Sequence, residues 1–180
     1  MQNKKGAMEM SVGTIVTIVL LMAVLVLGVV LIKNIFGGAK NVVDMTNDQL
    51  ESEISKLFGE DKKMVIYPSS REITIKQGDA NGFAIGIKNL LQGTTGEKDF
   101  FYEINVADVG NCGVEESEIE EWIIVGKSES GISIPSNGFY SPQVHLLVPE
   151  GSPLCTFKLR VSVNVEENSY ATDSIIITVK

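Results

Sequence analysis

The sequence predicts a mainly β protein: a sandwich of short strands, preceded by a long apolar helix. Two observations predict it. Residues Met10 to Ile32 carry no charged side chain, and residues 64–180 are divided into short β-rich runs by Gly, Pro, Asn and Asp. Runs of that length, bounded by turn residues, are typical of an all-β sandwich. The chain is therefore expected to combine one helix that crosses a membrane with one water-soluble body.

The apolar run is long enough to span a bilayer. At about 1.5 Å per residue it extends over about 34 Å as a helix, against a hydrocarbon core of about 30 Å. Lys4 and Lys5 precede it, and the positive-inside rule keeps that end in the cytoplasm. We therefore expect membrane lipid as a partner, a single-pass location in the cell membrane and an extracellular C-terminal domain.

The charge balance excludes one class of partner. The formal net charge is −8, and the excess of Asp and Glu lies after residue 40. An acidic body is repelled by nucleic acid and by anionic bilayer surfaces. The sequence predicts no nucleic-acid partner.

A short amphipathic segment separates the apolar run from the strands. Gly37 and Gly38 are expected to break the helix, and Leu50 and Ile54 recur at helical spacing within residues 41–58. This stalk helix is expected to pack on its own domain or on a neighbouring copy. The expected divisions are an n-region at 1–9, a transmembrane or assembly helix at 10–36, hinge, stalk and linker at 37–63, and the sandwich at 64–180.

The strand predictions rest on alternation of apolar and polar residues. It is clearest at 157–165, where Phe, Leu and three Val residues occupy every second position. In immunoglobulin order the strands are A up to 76, B at 83–90, C at 100–106, C′ at 122–125, D near 132–134, E at 143–148, F at 155–165 and G at 174–179. Phe100, Phe101 and Tyr102 are consecutive, so one face of strand C is expected to present an aromatic ring to solvent or a partner.

Two cysteines suggest a structural disulfide. Cys112 and Cys155 are too far apart for a CxxC motif, and thiols of exported domains usually pair. The bridge would close a loop of about 44 residues, which stabilises by about 4 kcal/mol in the chain-entropy model. The loops leaving strand C and entering strand F lie at one end of such a sandwich, so the pairing is geometrically feasible; two free buried thiols are the alternative.

No pattern indicates catalysis. His145 is the one histidine, it has no recognisable nucleophile or orienting acid, and its neighbours in the strand place it towards solvent. A single histidine and dispersed cysteines predict no zinc or iron site and no cofactor. The acidic run 115–121 could bind calcium, but it lacks the Asp, Asn and Gly spacing of such sites. A solvated loop or short helical turn is the simpler interpretation.

Three aromatic residues form a candidate binding patch. Trp122 follows the acidic run, and Phe139 and Tyr140 lie in a Gly- and Pro-containing loop. Exposed aromatic residues are common contact residues, whereas core packing is the default for a single tryptophan. Both interpretations stay open for these side chains.

The N-terminus resembles the class III signal peptide of archaeal type IV pilin-like proteins. The matching residues are Lys4, Lys5, Gly6 and Ala7, followed directly by the hydrophobic run. The resemblance implies cleavage after Gly6, a mature chain beginning at Ala7, and helices that pack as the core of a filament. Glu9 would then be the third mature residue and a candidate assembly contact with a neighbour's terminal amine, although many pilins place this Glu fifth.

The strand pattern is also similar to the immunoglobulin-like domains common in archaeal surface proteins. The favoured hypothesis is a non-enzymatic, pilin-like structural or adhesive surface protein that self-associates through its helix. The alternative is a single-pass ectodomain that binds a surface protein or glycan. Three N-terminal fates remain open: cleavage after Gly6, cleavage after Ala39, or none.

Overall fold

The computed structural model describes residues 12–36, 42–91 and 98–180. The chain forms two compact units, Met1–Ala39 and Lys40–Lys180, and each is described by itself below. In the first, helix α1 spans Val12–Phe36. Its segment Gly13–Val30 is long and apolar enough to cross a membrane, with a mean hydropathy of 2.8.

The second unit is mainly β. A 3₁₀ turn at Val42–Asp44 leads into α2 (Asn47–Leu57), and α3 (Glu116–Glu121) interrupts the strands. The strands are β1 (Met64–Tyr67), β2 (Glu72–Ile75), β3 (Ala80–Lys88), β4 (Lys98–Asp108), β5 (Ile123–Val125), β6 (Ser128–Ile134), β7 (Phe139–Tyr140), β8 (Gln143–Leu147), β9 (Thr156–Val165) and β10 (Asn168–Val179).

Two sheets form an immunoglobulin-like sandwich. The first has the order β1-β3-β8-β5, with β7 also paired to β3, and the second has the order β2-β10-β9-β4-β6. Strand β2 runs parallel to β10, and the other pairings are antiparallel. Along β9 the apolar side chains are buried and the polar ones between them are exposed or half-buried, as the alternation predicts. The predicted fold class is confirmed.

The sequence analysis assigned two neighbouring strands to the wrong positions. The label C′ for 122–125 implies pairing with strand C, and the label D for 132–134 implies the opposite sheet. In the structure β5 pairs with β8, and β6 pairs with β4, which is strand C. The chain changes sheets at Gly126, whose φ of +76° is a left-handed conformation that favours glycine. Beyond this turn, Ile132 and Ile134 alternate with polar residues and bury their side chains in the core.

The disulfide closes one end of the sandwich. Cys112 follows β4, Cys155 precedes β9, and their sulfur atoms are bonded with the Cα atoms 4.8 Å apart. A hydrogen bond beside the disulfide also holds the two loops together, because Asn111 Oδ1 accepts from the Thr156 amide at 2.7 Å. This is the cysteine pairing that the strand order made feasible.

The amphipathic helix α2 packs on its own domain, which is the first of the two options the sequence left open. Leu50 and Ile54 are fully buried with Val65 and Ala84 of the first sheet. Thr46 caps the helix: its hydroxyl accepts from the Gln49 amide while the Gln49 side chain accepts from the Thr46 amide. The helix is thus an integral layer over the outer face of this sheet.

Candidate functional site

The first candidate site is the surface of α1. Its described side chains, from Gly13 to Val30, are exposed around the whole circumference, except that Gly28 is half-exposed. The hydroxyl of Thr17 donates to the carbonyl oxygens of Gly13 and Thr14, both at 2.9 Å. That back-bonding satisfies a polar group within the helix itself, which an apolar environment requires. The surface suits burial in lipid or among other apolar helices.

The candidate signal residues cannot be placed. Gly6, Ala7, Glu9 and Ala39 lie outside the described residues. The signal cleavage and the assembly contact therefore stay predictions from sequence.

Trp122 does not belong to an exposed patch. Only 3% of its surface is accessible, and its ring packs edge-on against Phe157 with centroids 5.6 Å apart. The short helix α3 buries Ile119 and leads directly into Trp122, which turns the indole inward. Trp122 therefore packs in the core, which was one of the two alternatives of the sequence analysis, and it is not part of an exposed binding patch.

Phe139 and Tyr140 remain accessible and lie beside each other in the short strand β7, rather than in the loop that the sequence analysis expected. Tyr140 pairs with Ile87 and Phe139 with Lys88 on strand β3. Phe139 is 36% exposed, and its ring lies 5.7 Å from that of Phe58, at the C-terminal end of α2. The two rings are thus held at a fixed place on the first sheet.

These two rings border a groove, which we call the β6–β8 groove. Its volume is about 590 Å³, and it is lined by α2, β7, β8, the start of β6 and the turn at Gly126. Its polar side chains are those of Asn47, Tyr102, Glu129, Tyr140, Gln143 and His145, with Glu51, Ser128 and Ser141 beside them. A volume of this size lies within the range of small-ligand sites.

Hydrogen bonds order the groove. The Tyr140 hydroxyl donates to Glu129, with oxygen–oxygen distances of 3.0 and 3.2 Å to the two carboxylate atoms. His145 Nε2 lies 3.1 Å from Gln143 Oε1, and Gln143 Nε2 donates to Asn47 Oδ1 at 3.3 Å. The side chains are thereby pre-positioned, which lowers the entropic cost of binding a ligand.

A β-bulge brings Glu129 to the groove. Phe100 of β4 pairs with Ile132 of β6. Tyr102 lies two residues after Phe100, but its partner Glu129 lies three residues before Ile132, so β6 contains one extra residue. The extra residue lies next to Gly131, whose φ is +69°. Without the bulge Ser130 would oppose Tyr102, so the bulge is what places the carboxylate beside the phenol.

The electrostatics of the groove favour neutral tyrosines. Burial raises the pKa of Tyr102 well above its usual range, and the Glu129 carboxylate and Tyr140 raise it further. The pKa of Tyr140 is also raised, first by burial, then by its hydrogen bond to Glu129 and by the charge of that carboxylate. Both phenols therefore remain hydrogen-bond donors at neutral pH.

The acidic run forms the short helical turn that the sequence analysis favoured. Glu116–Glu121 is α3, and Glu120 forms an ion pair with Lys127 at 3.0 Å. Within residues 12–36, 42–91 and 98–180, no group of three or more His, Cys, Asp or Glu residues is arranged to hold a metal ion.

Sequence reasoning did not assign four of the groove's polar residues to a site, namely Asn47, Tyr102, Glu129 and Gln143. Tyr102 ends a run of three aromatic residues. Phe100 and Tyr102 are buried, and Phe101 on the other face of the strand is half-buried. The glycine at 131, inside an otherwise alternating strand, was the available signal for the bulge. His145 was identified, and it lies half-buried in the groove rather than in open solvent.

These features define a class: an immunoglobulin-like β-sandwich protein with an N-terminal helix that could span a membrane. No family model matches the sequence, and no curated protein matches it. The solved structures that match do so at low identity and low TM-score. The CARDB domain of the PF1109 protein of Pyrococcus furiosus is 12% identical, with a TM-score of 0.39, and the match covers 71% of this chain and 97% of that one.

Two further structures have comparable similarity. The major subunit MyfA of Yersinia enterocolitica Myf fimbriae is 9% identical, with a TM-score of 0.34 and coverage of 65% of this chain and 96% of that one. A family 123 glycoside hydrolase from Clostridium perfringens is 12% identical, with a TM-score of 0.42; the match covers 61% of this chain but only 22% of the hydrolase. These likenesses carry no information about ligand or activity.

Proposed function

We propose that the protein is a non-enzymatic surface protein in which α1 anchors or assembles the chain and the sandwich is displayed outside the cell. One observation carries the proposal: the described surface of α1 is apolar on every side. Exposed apolar surface of this extent is unfavourable in water and requires lipid or sister helices as cover. The lysines before the helix favour a cytoplasmic N-terminus.

The disulfide supports display outside the cytoplasm. Disulfides persist in oxidising compartments and are rare where thiols are kept reduced. The bond between Cys112 and Cys155 is therefore compatible with an exported sandwich. The acidic composition of that unit keeps it soluble and away from anionic membrane surfaces.

The pilin-like version adds processing and self-association. Cleavage after Gly6 would start the mature chain at Ala7, and the apolar helices would pack together in a filament. Glu9 would then lie near the new terminus and could pair with a neighbour's amine. The resemblance of the N-terminus to class III signal peptides supports this version.

A second function is favoured by the β6–β8 groove. A domain that serves only as a spacer does not require a pre-ordered groove with polar and aromatic walls. It favours an anchored ectodomain that binds a ligand or partner, with α1 serving as a solitary anchor.

Membrane extraction tests anchoring of the unassembled chain by α1, which both versions share. Full-length protein with Leu21→Arg and Leu25→Arg, residues that are 69% and 66% exposed in α1, should shift from the membrane to the aggregated or soluble fraction. Each charge at a membrane centre costs about 2.5–3.5 kcal/mol. The matched control is Leu154→Arg, because Leu154 is 66% exposed in the sandwich unit. Release of the unaltered chain by alkaline carbonate would contradict anchoring.

Electron microscopy of detergent-free preparations separates the two versions. Filaments that disappear in the Gly6→Leu variant would support the pilin-like version. Monodisperse single-pass protein would support the solitary anchor.

A further inference from the structure

We propose that the β6–β8 groove binds a neutral carbohydrate, through its phenol, carboxylate, amide and imidazole groups. The proposal deepens the display role of the sandwich and rests on it only for the location of the groove outside the cell. The binding chemistry follows from the groove's own side chains, as argued below.

The charges of the lining exclude an anionic ligand. No Lys or Arg is among the described residues that line the groove, whereas Glu51 and Glu129 both lie there. A phosphate, sulfate or carboxylate ligand would meet only negative charge and neutral dipoles. The ligand is therefore neutral or cationic.

The mixture of donors and acceptors favours a neutral, hydroxyl-rich ligand over a cation. Glu129 accepts, Tyr102 donates, and Gln143, Asn47 and His145 offer both kinds of group. A cation does not accept hydrogen bonds, so the donors would be left without partners when the ligand displaced water. Sugar hydroxyls donate and accept at once, so they can use both kinds.

Tyr102 supplies a further, independent observation. Its side chain is 1% exposed, it lines the groove, and its hydroxyl has no hydrogen-bond partner within the described part of the chain. A buried hydroxyl without a partner costs free energy, so this one is expected to bond to a ligand or to water held in the groove. The bulge that brings Glu129 to its side places an acceptor next to this donor.

The apolar part of the wall matches the other surface of a sugar ring. The C–H faces of a pyranose are apolar, and they pack on aromatic and aliphatic side chains. Phe139 and Tyr140 supply aromatic surface at the groove, and Val125, which is exposed, supplies aliphatic surface. Polar groups that fix orientation, set in a partly apolar wall, are the usual composition of a small-ligand site.

Ligand-observed saturation-transfer NMR tests the proposal on the full-length chain in lipid nanodiscs. The probes are the methyl glycosides of glucose, galactose, mannose, N-acetylglucosamine and N-acetylgalactosamine, with choline as the cationic probe. At least one sugar is expected to bind, with a dissociation constant on the order of 1 mM, because a small ligand in an open groove gains little free energy.

Two conservative variants assign the binding to the groove. Tyr102→Phe and Glu129→Gln should each weaken sugar binding by about ten-fold, the usual effect of removing one hydrogen-bonding group. The matched controls are Tyr67→Phe and Glu53→Gln, a tyrosine and a glutamate that interact with each other on the same unit but away from the groove. These should bind as the unaltered chain does.

These outcomes test sugar binding independently of the proposed anchoring function. Absence of transfer to every sugar, choline binding in place of sugar, or sugar binding that Tyr102→Phe and Glu129→Gln leave unchanged would each overturn it. None of these results bears on anchoring, which is measured by extraction from membranes. Loss of anchoring, in turn, would leave the sugar measurement standing.

Discussion

Ile54 of α2 lies directly over Gly86 of β3, and there is no room for a side chain between them. A Cβ atom added at Gly86 would come 2.5 Å from Ile54 Cγ2, and 2.8 and 2.9 Å from Val65 Cγ2 and Phe58 Cε2. The helix therefore docks on the first sheet because the strand carries a glycine at that point. This contact joins the segment after residue 40 to the sandwich.

Gly86→Ala is expected to destabilise the second unit by about 1–3 kcal/mol, the usual cost of overpacking. Chemical denaturation of the full-length chain in detergent measures the free energy of unfolding. Gly59→Ala is the control, because an added Cβ there meets nothing within 4 Å. Ile54→Ala should cost less stability in the Gly86→Ala background than in the unaltered chain, because it relieves the closest of the new contacts. A Gly86→Ala chain as stable as the Gly59→Ala chain would contradict the docking contact.

Reduction of the disulfide is expected to lower stability by about 4 kcal/mol, because the unfolded chain then regains the entropy of a long loop. The denaturation midpoint of the unaltered chain should fall when reductant is added. The double variant Cys112→Ala, Cys155→Ala should have a low midpoint in both conditions. Equal midpoints of the unaltered chain with and without reductant would show that the bond contributes no stability.

Alkaline pH is expected to destabilise the sandwich through its tyrosines. The pKa values of Tyr67, Tyr102, Tyr140 and Tyr170 are all raised above 10.0, in each case first by burial. The native state therefore holds these protons more tightly than the unfolded state, so the stability they contribute is present below pH 10 and lost as the pH rises further.

Tyr102 is expected to contribute up to about 1.4 kcal/mol per pH unit above pH 10. Tyr102→Phe should flatten the pH dependence of the unfolding free energy, and Glu129→Gln should lower the pH at which phenolate absorbance appears. Glu116→Gln is the control, because the Glu116 carboxylate is not among the groups that raise the pKa of Tyr67, Tyr102, Tyr140 or Tyr170. If the phenolate absorbance of the native protein rose with pH as that of free tyrosine does, the burial of these groups would be contradicted.

Asn89 is expected to be the most sensitive polar residue of the core. Its side chain is fully buried; it donates to the Ile134 carbonyl at 2.8 Å and accepts from the Leu91 amide at 3.1 Å. Its backbone also pairs with Asn137 and Gly138, in the turn before β7. Asn89 thus links β3 to the turn that precedes Phe139 and Tyr140 of β7.

Asn89→Ala should destabilise by about 1–3 kcal/mol, because it leaves buried backbone groups without partners. Asn81→Ala is the matched control, since the half-buried Asn81 side chain also donates to a carbonyl, that of Thr74, and accepts from the adjacent Gly82 amide. Urea denaturation of both full-length variants provides the comparison. Equal losses in the two would show that burial of Asn89 adds nothing.

The fold could be predicted from sequence wherever periodicity was strong. The alternation in β9 gave the buried face of that strand, and the helical spacing of Leu50 and Ile54 gave the apolar stripe of α2. The pairing partners of β5 and β6 could not be predicted, because both strands are short and the choice depends on the turn at Gly126. Such a turn is a tertiary contact, and local propensity does not encode it.

The groove was predicted only in part. Phe139 and Tyr140 could be recognised because loop aromatics are informative in a sequence, whereas Tyr102 and Glu129 lie 27 residues apart and meet only through strand pairing across a bulge. Trp122 was a candidate for the same patch, but the sequence could not decide which way a residue between α3 and β5 would turn. Long-range register decides these cases, and a single sequence does not specify it.

The most direct test of the account is the intact mass of the native chain in the membrane and soluble fractions. We expect a membrane-bound or filamentous species that begins at Met1 or Ala7 and therefore retains α1. A soluble species that begins at Lys40 and lacks the helix would contradict the central claim.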